Sequence, residues 1–251
     1  MTQADKAEQF KQLHHQNSPL VLTNIWDVGS AKAVADAGAP ALATGSASLA
    51  AAHGYADREQ LPLEQLITTL NHIVDAVNIP VSADIEAGYA SEPTGVAETV
   101  RQVIGVGVVG INLEDQVMVS GGRYSVTDQA ARLVAARKAA DALDVNLFIN
   151  ARTDVYLQTE PAARSDDHVE EVLTRARAYQ EAGASGLFVP GLADADIIQH
   201  ICSEVSLPVN IIKMDDTFSV DELAALGVSR ISTGPEPYRT AMKTLVRGYY
   251  R

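Results

Sequence analysis

Apolar residues in this chain gather into short unbroken runs of strand length, and between those runs they recur at helical spacing. Unbroken apolar runs mark strands buried on both faces, as in a parallel sheet. One pattern returns through the chain: a helical stretch closes on glycine and leads into a buried run that ends in small or polar residues. The copies are 37–45, 105–114, 182–191 and 226–234. In each, glycine supplies the left-handed cap that ends a helix. Strands of a second type lie between them, at 79–84, 145–150 and 207–212, and a first strand spans 19–24. Helices are predicted over 28–38, 62–78, 94–105, 127–143, 166–182, 193–204, 218–226 and 235–248. Strand and helix in strict alternation, eight of each, predict a single parallel (β/α)8 TIM barrel over residues 1–251. An open doubly wound sheet is the alternative, but no Gly-x-Gly-x-x-Gly turn follows the first strand. An extra polar helix over 4–16, with Ala7, Phe10 and Leu13 on one face, precedes the barrel.

Composition agrees with this architecture. A length of 251 residues is normal for one barrel, and 47% hydrophobic residues with only 5% aromatic predict an interior of Ala, Val, Leu and Ile. The net charge of −13 argues against nucleic acid and anionic membrane as partners, since both need a basic surface. The single cysteine, Cys202, excludes an internal disulfide and falls in a helical stretch, where a buried inert thiol is expected. No apolar run approaches the ~20 residues that span a bilayer, and residues 1–6 lack a signal-peptide pattern. A soluble cytoplasmic protein is expected.

A parallel barrel gathers every strand's C-terminal end on one rim. The residues so collected are Asn24, Trp26, Asp27, Thr44, Gly45, Ser46, Asp84, Glu86, Glu114, Asp115, Asn150, Arg152, Asp154, Pro190, Asn210, Lys213, Ser232 and Gly234. Carboxylates, hydroxyls and amides dominate, with no histidine. Oxygen ligands without Cys or His suit Mg²⁺ or Mn²⁺ and disfavour zinc. Acids converging from neighbouring strands repel one another unless a cation neutralises them. Asp84 is the expected direct ligand, with Glu86 and Glu114 in the outer sphere. Arg152 is expected to offer its guanidinium fork to a substrate carboxylate; a structural ion pair with Asp154 or Glu114 is the alternative. Gly45, Ser46 and Ala47 offer a hydroxyl and backbone amides to an anion. The stretches 45–61, 115–127 and 153–166 are expected as long loops on this face, the middle one a candidate lid carrying Gly121, Gly122 and Arg123. The pair Asp215-Asp216 speaks against a phosphate site after the seventh strand.

Several short motifs run in one order along the chain: Asn24-x-Trp26-Asp27, Thr44-Gly45-Ser46, Gly54-x-x-Asp57, Asp84-x-Glu86-x-Gly88-Tyr89, Leu113-Glu114-Asp115 and Ala151-Arg152-Thr-Asp154. Together they resemble the isocitrate lyase/phosphoenolpyruvate mutase superfamily. The resemblance implies a (β/α)8 barrel that binds Mg²⁺ and a small 2-oxo or 2-hydroxy carboxylate and passes through an enolate. It implies Asp84 as metal ligand, with Glu86, Glu114 and Asp57 holding its waters. It also implies Asp57, Arg152 and Ser46 as catalytic residues, and Trp26, Ser46, Arg152, Asn210 and the amides of Gly45 and Ala47 as the substrate pocket. A homo-oligomer follows, a dimer or a tetramer with the last helix swapped between barrels. Superfamily members that cleave isocitrate carry Lys-Lys-Cys-Gly-His after the Glu-Asp pair, and those that handle phosphonates carry lysine and asparagine there. The 116–127 loop has neither. The expected activity is therefore a Mg²⁺-dependent decarboxylase or C–C lyase acting beside the carbonyl of a small 2-oxo acid. The alternatives are a phosphoenolpyruvate mutase, a phosphonopyruvate hydrolase, or a barrel that only binds a 2-oxo acid.

Overall fold

The computed structural model describes residues 1–213 and 218–249; Asp215 and Asp216 lie outside them. The strands are β1 (Leu20–Leu22), β2 (Asn24–Ile25), β3 (Leu42–Thr44), β4 (Val81–Asp84), β5 (Gly110–Glu114), β6 (Phe148–Arg152), β7 (Gly186–Phe188), β8 (Val209–Ile212) and β9 (Arg230–Ser232). All pair in parallel, in the order β1-β9-β8-β7-β6-β5-β4-β3-β2. β1 and β2 are one stave broken at Thr23. Its lower half pairs with β9 and its upper half with β3, so the sheet closes into the expected barrel. Asn24 seals that seam: its Oδ1 accepts from the amides of Thr233 (3.0 Å) and Gly234 (2.8 Å), and its Nδ2 donates to Thr44 O (2.8 Å).

The helices are α1 (Gln3–Leu13), α2 (Val28–Asp36), α3 (Ser46–Ala52), α4 (Leu63–Ala76), α5 (Pro93–Gly105), α6 (Val126–Asp141), α7 (Asp166–Glu181), α8 (Ala195–Glu204), α9 (Val220–Ala225) and α10 (Glu236–Tyr249). The recurring glycine has the predicted left-handed conformation at Gly38, Gly107, Gly183 and Gly227, with φ of 92°, 91°, 93° and 90°. One expectation is corrected here. The 45–61 stretch is not all loop, because α3 occupies its first part. Its sequence, SASLAAA, is so uniformly small that it gives no amphipathic period to read.

α1 closes the N-terminal end of the barrel. Thr2 and Asp5 form a reciprocal capping box at its start, and Ala7, Phe10 and Leu13 are buried as predicted. The Phe10 ring meets Phe148 edge-on at 5.6 Å, and His14 stacks on Phe148 at 3.8 Å. Gly110 makes room for this plug: a Cβ there would lie 2.5 Å from Phe10 Cε1. Cys202 on α8 is half-buried, and burial pushes its thiol up to about 12, which leaves it unreactive. Among the described residues no helix is long and apolar enough to cross a membrane.

Candidate active site

Two neighbouring strands deliver the acids. Asp84 ends β4, and its amide donates to Thr44 Oγ1 at 2.9 Å, which fixes the strand end against β3. Glu86 follows in a turn that is left-handed at Glu86 (φ 51°), Gly88 (89°) and Tyr89 (56°). The facing loop is left-handed too, at Arg58 (72°) and Glu59 (56°). The two loops clasp: Glu59 N donates to Glu86 Oε2 at 2.8 Å, and Tyr89 N donates to Glu59 Oε1 at 2.7 Å. Non-glycine residues in this region carry about 1–3 kcal/mol of strain each, and surrounding contacts must hold them there.

Much of that hold comes from one residue of α6. Arg132 is buried; its guanidinium donates to the carbonyls of Ala87, Ala90 and Ser91 and lies over the Tyr124 ring at 4.1 Å. Its Nε donates to Gln129 Oε1 (3.0 Å), and Gln129 Nε2 donates to Glu114 O (3.2 Å). The Glu86 loop and the end of β5 are therefore fixed by the same pair of side chains. Sequence reading missed Arg132, Gln129 and Glu59. The first two had a signal, since they share one helix face with the buried Leu133, Ala136 and Ala140. Glu59 had none, as it sits in the polar run Asp57-Arg58-Glu59-Gln60.

Glu114 ends β5 and lies beside Arg152 of β6, with Arg152 Nη1 2.8 Å from Glu114 Oε2. The same guanidinium donates from Nε and Nη2 to Asp154 Oδ1 (2.6 Å) and Oδ2 (3.0 Å). Both ion pairs that the sequence offered as the alternative for Arg152 are thus present. Asp115, next to Glu114, turns the other way. It is fully buried against α7, accepting from Arg175 Nη1 (3.1 Å), Tyr179 Oη (2.8 Å) and the amide of Asp154 (3.0 Å). Asp115 anchors the framework, and Glu114 faces the acids.

The electrostatics of the mouth are unbalanced. Asp84, Glu86 and Glu114 are only 9%, 4% and 3% exposed. Burial first, then the charges of Asp84 and Asp57, push Glu86 up to about 8. Burial also raises Asp84, although the Arg152 charge opposes it, and it raises Glu114 well above the ordinary range. Burial alone would lower Arg152, but Glu114 and Asp154 outweigh it and hold the guanidinium above its ordinary value. The Arg152 guanidinium pairs with Glu114 and Asp154 and its charge also reaches Asp84, while Asp57 adds its own negative charge to Asp84 and Glu86. An oxygen-only donor set with surplus negative charge fits a hard divalent cation. Among the described residues, no three acid, histidine or thiol groups converge enough to cage an ion by themselves. An ion here would keep much of its water shell, as Mg²⁺ does.

The remaining predicted residues divide between mouth and framework. Ser46 opens α3 with its amide 3.5 Å from Asp84 Oδ2, beside the buried Gly45 and the half-buried Ala47. Trp26 is half-buried and meets Tyr238 edge-on at 5.2 Å. Asp57 is exposed. Asp27 caps α2, its Oδ1 accepting from Ser30 N at 2.7 Å. Asn210 is fully buried, and its amide exchanges hydrogen bonds with Ser232 Oγ at 3.1 and 3.2 Å. In the 116–127 loop, Arg123 is tied to Gln158 (3.1 Å) and Glu171 (3.1 Å), so its cation points towards α7.

This arrangement can be compared with known proteins. Residues 10–249 match the family described as phosphoenolpyruvate phosphomutase. The chain belongs to that family. With it the chain joins the isocitrate lyase/PEP mutase superfamily of lyases and mutases. Among similar proteins, an uncharacterised protein of Mycobacterium tuberculosis (strain ATCC 25618 / H37Rv) is 33% identical over 236 residues, covering 93% of this chain and 84% of that one. The oxaloacetate decarboxylase of Pseudomonas entomophila (strain L48) is 28% identical over 243 residues, covering 93% and 80%. A crystal structure from Burkholderia cenocepacia J2315, of a protein provisionally named a phosphonomutase, superposes with a TM-score of 0.95 at 46% identity, covering 98% and 97%.

Proposed function

We propose that this family member is a Mg²⁺-dependent decarboxylase or C–C lyase that breaks the bond beside the carbonyl of a small 2-oxo acid. The observation that carries the reading is the buried cluster of Asp84, Glu86 and Glu114 beside the guanidinium of Arg152. Asp84 would ligate the ion directly, and Glu86, Glu114 and Asp57 would hold its waters; Mn²⁺ would suit the same donors. When bound, the ion supplies Lewis-acid stabilisation to negative charge growing on the substrate's carbonyl oxygen.

The chain's own groups bind and orient. Pairing with Asp154 takes two of the five guanidinium N–H groups of Arg152, which leaves donors for Glu114 and an incoming carboxylate. The amides of Gly45 and Ala47 and the Ser46 hydroxyl would hold the substrate's other polar end, with Trp26 as an apolar wall. As the C–C bond breaks, its electron pair moves into the adjoining carbonyl and leaves an enolate, which positive charge and fixed donors stabilise. The likeness to an oxaloacetate decarboxylase supports this class of reaction, as does the lack of both the cysteine motif and the lysine–asparagine lid in 116–127. The last helix supports self-association as a homo-oligomer, dimer or tetramer: α10 leaves Leu245 and Val246 57% and 61% exposed.

Turnover of oxaloacetate, phosphonopyruvate and 2-methylisocitrate, each with Mg²⁺ and with a chelator, tests the assignment. Oxaloacetate should be consumed only with the cation, releasing CO₂ and pyruvate. Turnover of phosphonopyruvate in its place, or oxaloacetate turnover that chelation leaves unchanged, contradicts it.

A further inference from the structure

Below the acids the barrel interior is polar, and it holds a guanidinium that the mouth does not use. Arg230 opens β9 and is 1% exposed. Its Nη2 donates to Asn112 Oδ1 at 3.2 Å, an oxygen that also accepts from Asn150 Nδ2 at 2.9 Å. Its Nε and Nη1 are buried and meet no acceptor among the described residues. Among the described residues no carboxylate pairs with it, and His14, whose ring feels its charge, cannot compensate. His14 Nδ1 lies 2.7 Å from Phe10 O, and burial, then the Arg230 charge, push the ring down to about 3, so it stays neutral. Burial pushes Arg230 itself down to about 9, and the one acid that opposes this is Asp84. The register explains the link. Asp84 is the Cα partner of Asn112, so the guanidinium reaches the level at which Asp84 leaves β4. Burying a charge without a paired counter-charge is costly, and an apolar side chain would fill this space more cheaply.

We propose that Arg230 is a positioning residue for the mouth: its fixed positive charge beneath Asp84 offsets the acid cluster, so that an anionic substrate can bind over it. The inference rests on reading the mouth as a metal and keto-acid site. Its signature is one of opposite signs. Removing a positive charge below the acids should strengthen cation binding and weaken anion binding. Damage to the site's shape would weaken both.

The test uses Mg²⁺ affinity alone and oxalate affinity at saturating Mg²⁺, both by calorimetry on the intact chain. Arg230→Gln removes the charge. Asn112→Asp cancels it by setting a carboxylate against Nη2 and leaves the interior filled. Both should bind Mg²⁺ more tightly and oxalate more weakly, each by roughly tenfold for one charge acting across a partly desolvated site. Arg230→Lys keeps the charge and should stay within about threefold of the parent for both ligands. Unchanged constants in Arg230→Gln and Asn112→Asp, or a parallel loss of both affinities, would overturn the proposal. So would failure of Asn112→Asp to fold, since its new ion pair should be favourable. If the parent chain binds neither Mg²⁺ nor oxalate, the reading of the mouth fails, and this inference falls with it.

Discussion

Asp84→Asn is expected to lower kcat/KM for oxaloacetate by at least about 10³-fold, the several kcal/mol that a correctly held divalent ion contributes to the transition state. The substitution is nearly isosteric. An amide oxygen can still accept from Glu86 N, which donates to Asp84 Oδ1 at 3.2 Å, so the β4 end should keep its shape. What is lost is the anionic oxygen facing the α3 amide. The same change removes one of several buried acids that repel one another, so the metal-free variant should melt at a higher temperature than the parent. A paired activity and melting measurement reads both effects. Activity near the parent level would remove Asp84 from the reaction, and a lower melting temperature would mean that the acid cluster is not under repulsion.

Stability should depend on pH in a direction that Mg²⁺ reverses. Glu86 has an ordinary value of 4.5 and is held at about 8 in the folded site, with Asp84 and Glu114 raised in the same sense. Between about pH 4.5 and 8 the folded chain keeps a proton that the unfolded chain has released. The contribution is therefore complete only below the unfolded value, and it is lost as pH rises through the folded one. The metal-free protein should lose on the order of a few kcal/mol across that window. On the proposed reading millimolar Mg²⁺ would bind only the deprotonated acids of the folded state, so its stabilising effect should grow from almost nothing near pH 5 to a maximum near pH 8. Melting curves at several pH values, with and without Mg²⁺, measure this directly. A Mg²⁺ effect that does not vary with pH would show that the cation binds elsewhere.

The barrel was legible because its signals are local and repeated. Glycines such as Gly38 and Gly107 end helices at fixed offsets from buried runs, and strand-end acids such as Asp84 and Glu114 interrupt apolar sequence abruptly. α3 was not legible, because a helix of small residues shows no apolar face. The partition of adjacent residues was also hidden. Glu114 and Asp115 look equivalent in sequence, yet strand alternation sends one to the mouth and the other to Arg175 and Tyr179. Asn24 and Asp27 stood among the rim candidates for the same reason, and the structure gives one to the barrel seam and the other to a helix cap. Charges in the barrel interior are harder still to read. Arg230 stands in a short mixed run, Ser229-Arg-Ile-Ser232, and its contact with Asn112, which Asn150 shares, reveals that it lies beneath the acids.

A crystal structure of the protein with Mg²⁺ and oxalate tests the central claim most directly. The account predicts one ion about 2.0–2.1 Å from a carboxylate oxygen of Asp84. Glu86 and Glu114 should reach that ion through water, and oxalate should bridge it to Arg152. An ion bound away from Asp84, or oxalate seated elsewhere while Glu114 and Asp154 keep Arg152 to themselves, would contradict it.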